Sequence, residues 1–165
     1  LLDLPYPGGP HIEKLALEGN ENAYDFPRPM LHSDTLDMSL SGLKTSVLYT
    51  VQKISNLDKS TKANIAASFQ KAVTDVLVAK IQKTVSETNR NEVIIAGGVA
   101  ANKYIRTKFK DLEAKIGIKV YYPDLKYCGD NAAMIAFVGS MMKPSKQDYK
   151  ISLARARWPL NELGK

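Results

Sequence analysis

The feature that most constrains the fold is the junction IIAGGVAANKYIR, residues 94–106. An apolar run, Val93-Ile94-Ile95-Ala96, stops at Gly97-Gly98 and passes at once into a helix-forming segment. A short apolar run bounded by glycines reads as a buried strand, here over 92–96, and the segment after the glycines reads as a helix over 100–115. A second run, IKVYYP, ends at Pro123 and precedes another helical stretch over about 129–142. Strands alternating with helices after residue 90 predict α/β layering with some parallel pairing.

The preceding residues are dominated by helix. Pro5, Pro7, Gly8, Gly9 and Pro10 punctuate a turn-rich lead-in. Pro10 suits the first position of a helix running through HIEKLALEG, with Gly19 as its stop. Residues 20–41 lack helical periodicity, and AYDFPRPM and LDMSLS read as short extended segments, the first broken by prolines as at a sheet edge. From Gly42, the spacing of Leu43, Val47, Leu48, Val51 and Ile54 predicts a helix, which ends in the polar break SNLDKST. The longest helix is expected over roughly 60–87. Ile65, Phe69, Ala72, Val73, Val76, Leu77 and Val85 cover one face of it, while Lys62, Lys71, Gln82 and Lys83 lie largely elsewhere. No repeat or linker interrupts the chain. A single unit over 1–165 is expected: lead-in and extended segments to 41, helices over 42–90, an α/β part over 91–145, and a tail over 146–165 with Trp158-Pro159.

At 165 residues the chain can bury a sizeable core. No window approaches the length of a membrane span, and no signal peptide is read at the start. The single cysteine, Cys128, cannot form an internal disulfide, so a reducing cytoplasm is expected. A formal charge of +6 and a pI near 9.3 favour polyanionic partners such as RNA only weakly, because the basic residues are scattered. Lys103, Arg106, Lys108 and Lys110 read equally as a solvated helix face or a basic patch. There is no initiator methionine, and LLDLPYPGGP reads like the tail of a helix entering a turn, so the chain is expected to be a piece of a longer protein.

Ligands of open α/β sheets sit beyond the carboxyl ends of the strands. Gly97-Gly98 is therefore either a tight strand–helix turn or a floor that a flat ligand approaches closely. Asn102, expected in the first turn of the following helix, reads as a helix-start residue or as a donor and acceptor for a ribose hydroxyl or an adenine edge. Asp130 reads as the N-cap of the last helix or as a carboxylate facing a metal or phosphate. Glu13, expected on the first turn of its own helix, either stabilises that helix's dipole or holds a ligand hydroxyl or amine. SLSGLKT supplies a serine-glycine turn and Lys44 without phosphate-loop spacing. His11 and His32 stand far apart and outside any zinc motif, Cys128 has no evident base, and no G-x-S-x-G elbow occurs.

In this order and spacing, LDLPYPGGPHIEKLALEG, FPRPM, SLSGLKTSV, IIAGGVAANKYIR, CGDNAAMIAFVG and ARWPL closely resemble the C-terminal half of the TsaD (Gcp) family, in its bacterial branch. The resemblance spans essentially the whole chain. It implies an α/β, helix-rich lobe of the actin-like, Hsp70-like ATPase fold (ribonuclease H-like), one of two lobes around a nucleotide cleft. It implies tRNA N6-adenosine threonylcarbamoyltransferase activity, moving threonylcarbamoyl from threonylcarbamoyl-AMP to N6 of adenosine 37. Carried over, Gly9 and Glu13 line the adenylate site, Gly97 and Gly98 form the nucleotide floor, and Asn102 holds the nucleotide. Asp130 becomes a ligand of one divalent metal, Fe2+ by resemblance, with Zn2+ or Mg2+ as alternatives. ATP or threonylcarbamoyl-AMP is the expected ligand. Expected partners are tRNA, a TsaB-like paralogue, a TsaE-like ATPase and a missing N-terminal lobe, with no membrane.

Three glycine-edged helix starts converging on the cleft would offer N–H donors to the adenylate phosphate. The chain departs from the family pattern TDNGAMIA in reading GDNAAMIA, which removes a hydroxyl beside Asp130. The family's metal-binding histidines find no match in His11 or His32, so this chain alone is expected to be inactive. The alternative reading is a non-catalytic protein-interaction module of the same (ASKHA) fold. A protease reading finds no nucleophile–base pair or zinc motif to support it.

Overall fold

The computed structural model describes residues 1–142; the expected tail, including Trp158-Pro159 and the ARWPL motif, lies outside the described residues. The chain divides into two units, Leu1–Cys128 and Gly129–Lys165. The first is a helix-rich α/β arrangement. It contains α1 (Gly8–Ala16), α2 (Leu43–Gln52), α3 (Lys59–Thr88), β1 (Glu92–Ile94), a 3-10 turn (Gly98–Ala101), α4 (Lys103–Ile116), β2 (Lys119–Tyr121) and a 3-10 turn (Leu125–Tyr127). The two strands pair in parallel, with Val93 opposite Val120, as the alternation of strand and helix predicts.

The long helix α3 starts where the Asp58 carboxylate accepts the Thr61 N–H at 2.7 Å, and it ends at Asn89 in the left-handed region. It serves two cores. Its N-terminal half places Ile65, Ala66, Ala67 and Ala72 against Leu2, Ala16, Phe26, Leu43 and Val47. Its C-terminal half packs Leu77, Val78, Ile81 and Val85 against Ile105, Phe109, Leu112 and Ile118 from the β1–α4–β2 segment. The expected single apolar face is therefore too narrow: Ala63, Ser68, Gln70, Thr74 and Lys80 are buried as well. Both α1 and residues 20–35 lie against this helix.

That second neighbour corrects another expectation. No strand forms in residues 20–41. The segment runs alongside α3 instead, held by side chains of successive turns. Asn64 Oδ1 accepts the Asn20 N–H at 2.8 Å, and Ser68 Oγ accepts the Tyr24 N–H at 3.1 Å. Arg28 Nε donates to Asp75 at 3.0 Å, and Lys80 Nζ donates to Ser33 Oγ at 2.8 Å and to the Thr35 carbonyl at 2.7 Å. Polar groups of a proline-broken segment need partners, and α3 supplies them where no strand does.

Helix α1 also begins earlier than expected. Pro10 is its third residue, a place proline tolerates because first-turn N–H groups lack intrahelical partners. Glu13 consequently falls in the second turn. In the second unit, α5 (Ala132–Met141) is capped by Asn131, whose Oδ1 accepts the Met134 N–H at 3.1 Å; the capping role considered for Asp130 passes to its neighbour. Ile135, Phe137 and Met141 of α5 are exposed. Among the described residues no helix is long and apolar enough to cross a membrane.

This packing has two measurable consequences. A Cβ on Gly19 would overlap the Ala63 carbonyl and lie 2.8 Å from the Asn64 nitrogen. Gly19→Ala therefore destabilises by about 1–3 kcal/mol in urea unfolding. Hydrogen bonding to the Thr61 backbone N–H holds the Asp58 carboxyl below its usual value. Such a group stabilises the fold above its unfolded pKa, and the contribution is lost as pH falls through the folded value. Asp58→Ala lowers the melting temperature at pH 7, and its gap to the parent narrows below about pH 4.

Candidate functional site

The loops after β1 and β2 leave the same end of the parallel sheet. Gly97 turns the first of them at φ 86 and ψ 174, a conformation open essentially to glycine. A 3-10 turn follows, and Asn102, extended at φ −65 and ψ 121, becomes the N-cap of α4. The continuous helix expected over 100–115 is thus split in two, with Asn102 before the first turn of α4 rather than within it. The reason is local: from the cap position Asn102 Oδ1 accepts the Ile105 N–H at 2.9 Å.

That bond settles the rest of the amide. A backbone N–H only donates, so Oδ1 faces Ile105 and Nδ2 points the other way, donating to Gln70 Oε1 at 2.8 Å. One residue on, the Lys103 N–H donates to Glu13 Oε1 at 2.7 Å. Helices α1 and α3 therefore each meet the start of α4 through one hydrogen bond, at the adjacent residues Lys103 and Asn102. Glu13 serves the N-terminal end of α4 rather than its own helix, which corrects the dipole reading; α1 starts too early for Glu13 to lie in its first turn.

Arg106 joins the two strand-end loops. Its Nε donates to the Ala100 carbonyl, its Nη2 donates to the Pro123 carbonyl at 3.1 Å and lies 3.3 Å from Cys128 Sγ, and its guanidinium stands 4.7 Å from the Tyr122 ring centre. It is thus no member of a solvated basic face. Tyr104 donates its hydroxyl to Glu21 at 2.7 Å, and burial together with Glu21 pushes that phenol far above its ordinary range.

Two of the expected side chains, Glu13 and Asn102, are brought together. Gly97 and Gly98 form the turn leading to them, and Gly9 sits one helical turn before Glu13 on α1. Beside Gly9, Gly97 and Gly98 there is open space where a Cβ would point. Asp130 is exposed and belongs to the second unit. Lys44 lines a separate apolar recess of about 390 Å³ with Leu2, Ile12, Val47 and Phe69. Two of the N–H donors expected for a phosphate are already taken, since the first and third N–H groups of α4 are held by Glu13 and Asn102. What remains is a neutral hydrogen-bonding edge beside one carboxylate: a second oxygen on Glu13 and a second amide hydrogen on Asn102.

Gln70 escaped the sequence reading, and so did the bracing role of Arg106, which the sequence groups with its neighbouring lysines. A signal existed for Gln70, since its neighbours three and four positions away are Ala66, Ala67, Val73 and Thr74, so a polar side chain sits on a small, mostly apolar stripe. Nothing in the sequence marks Arg106 apart from nearby lysines.

A family model described as TsaD, tRNA N6-adenosine threonylcarbamoyltransferase, matches residues 1–137. A protein of that name from Thermosipho africanus is 53% identical over 139 residues, which cover 84% of this chain and 42% of the relative. One from Thermosipho melanesiensis is 49% identical, covering 92% and 46%. One from Herminiimonas arsenicoxydans is 46% identical, covering 99% and 49%. The chain spans about half the length of the curated relatives it matches.

The bond between Glu13 and Lys103 has a measurable weight. Glu13→Ala leaves the first N–H of α4 without its carboxylate, at a cost of about 0.5–1.5 kcal/mol in urea unfolding. The Lys103 amide then exchanges faster with solvent, whereas Glu13→Gln keeps an oxygen in place and falls between the two.

Proposed function

The chain belongs to the TsaD family, the tRNA N6-adenosine threonylcarbamoyltransferases, and we propose that the floor of Gly97, Gly98 and Asn102, walled by Gly9 and Glu13, receives the nucleoside part of an adenylate. The observation that supports this most is the hydrogen bond from the Lys103 N–H to Glu13, which draws together two glycine-bearing segments 90 positions apart. The unused oxygen of Glu13 and the unused amide hydrogen of Asn102 suit ribose hydroxyls or an adenine edge. A phosphate at the same place would meet the Glu13 carboxylate, so the phosphate end of the ligand points away from α4. The wider fold is proposed to be one lobe of the actin-like, Hsp70-like type.

In the whole protein, the amine N6 of a tRNA adenosine attacks the carbamoyl carbonyl of threonylcarbamoyl-AMP. The bond from that carbon to the phosphate oxygen breaks, AMP leaves, and N6 releases one proton. This chain's share is to hold the nucleotide still, so that the transfer gains from positioning and needs no covalent enzyme intermediate.

For a divalent metal, the described residues do not fit as a site. Among them no three His, Cys, Asp or Glu side chains converge. A lone carboxylate does not hold such an ion, so Asp130 is proposed as one ligand of a set completed elsewhere, and no step of the transfer is routed through the metal. The chain by itself is accordingly proposed to be inactive in transfer. tRNA, a TsaB-like paralogue and a TsaE-like ATPase are the proposed partners, in the cytoplasm.

Calorimetric titration of the chain with AMP, ATP and adenosine, with and without Mg2+, tests the nucleoside floor. Adenosine and AMP are expected to bind within a fewfold of each other. Asn102→Ser, which keeps a capping oxygen but lacks the amide, is expected to weaken AMP binding about tenfold. Tight ATP binding with none by adenosine would overturn the nucleoside assignment, and no binding by any of the three would leave the protein-docking module as the better description.

A further inference from the structure

We infer that Gln70 is a positioning residue for this floor: its side-chain oxygen fixes the plane and direction of the Asn102 amide that meets the nucleoside. The inference rests on the proposed nucleoside site. It starts from burial. Gln70 is 7% exposed, in the middle of α3, and a buried amide in that setting is held by hydrogen bonds. Its Oε1 accepts from Asn102 Nδ2 at 2.8 Å, the partner that the cap leaves for Nδ2. Asn102 is then gripped from both ends of its amide, by the Ile105 N–H on the oxygen and by Gln70 on the nitrogen. One bond alone would leave the amide free to pivot about its anchored oxygen. Two define its plane and aim the second amide hydrogen.

Its location makes Gln70 suited to this. The neighbouring Phe69, Ala72 and Val73 pack into the first core, and Leu77 and Val78 pack into the second. Gln70 therefore projects from a stretch of α3 locked on both sides, and a supporting group is most effective on such a rigid element. It is not proposed to touch the reacting atoms.

The test separates positioning from packing. Gln70→Met keeps the volume and removes the acceptor, whereas Gln70→Glu keeps an oxygen facing Asn102 in either protonation state. The isotope-labelled chain is observed by NMR at the Asn102 side-chain amide and the Ile105 backbone amide, and AMP affinity is measured by calorimetry. In Gln70→Met the Asn102 amide signals shift and exchange faster, and AMP binding weakens about fivefold to tenfold. Gln70→Glu returns both toward the parent.

Unmoved Asn102 signals in Gln70→Met overturn the inference. So do moved signals with parental AMP affinity, if Asn102→Ser is weakened. If Gln70→Met melts early, Gln70→Glu decides: parental signals and affinity support the inference, and loss of both overturns it. If Asn102→Ser binds AMP as the parent does, the nucleoside reading falls, and the role of Gln70 in binding falls with it. The NMR arm still reports whether Gln70 orients Asn102.

Discussion

The 30-residue helix Lys59–Thr88 is the member on which the first unit is assembled, because it is long enough to serve two cores at once. At 1.5 Å per residue it spans about 45 Å. Alanines at 63, 66 and 67 let α1 and the following turn approach closely at one end, and at Gly19 the approach leaves no room for a Cβ. Leucine, valine and isoleucine at the other end meet the β1–α4–β2 segment. Neither core is complete without its half of the helix, so the candidate site, which draws on α1, α3 and α4, inherits its geometry from this one element.

The same helix explains the polar burial. Ser68 and Lys80 would be out of place on a helix packed only against apolar neighbours. They are accounted for by residues 20–35, whose backbone runs along α3 and takes its hydrogen bonds from those side chains. Lys80, 2% exposed as a residue, donates from its ammonium to oxygens of Ser33 and Thr35. Charged hydrogen bonds of this kind are among the stronger ones, and removing a partner from a buried group costs more than the bond contributes. The segment is held without forming a strand.

At the strand ends the arrangement favours one class of ligand over another. A helix start is commonly an anion site because its N–H groups are unpaired. Here Glu13 and Asn102 pair two of them in advance, and one of the two partners is itself an anion. Arg106 meanwhile ties the Ala100 carbonyl to the loop after β2, so the two loops are braced by a cation that donates to a carbonyl on each. The result is a hydrogen-bonding surface, consistent in its chemistry with the sugar or base proposed for it. The chain belongs to the TsaD family and covers about half of its relatives' length, and the nucleotide at this surface is the ligand proposed above.

Much was determined by sequence alone. Apolar spacing placed α2 and α3, the glycine break placed β1 and the loop of the candidate site, and the ordered motifs identified the family. Local chemistry suffices for these, since helix period, turn residues and motif order are properties of neighbouring positions. What only tertiary structure decided is which side chains pair across long separations. That Glu13 caps α4, that Gln70 grips Asn102, and that residues 20–35 take bonds from α3 instead of forming strands all depend on partners 32 to 90 positions away. A polar side chain announces its capacity for hydrogen bonds in the sequence, but the partner is chosen by how the cores pack, and that choice brought separate helices together at one candidate site.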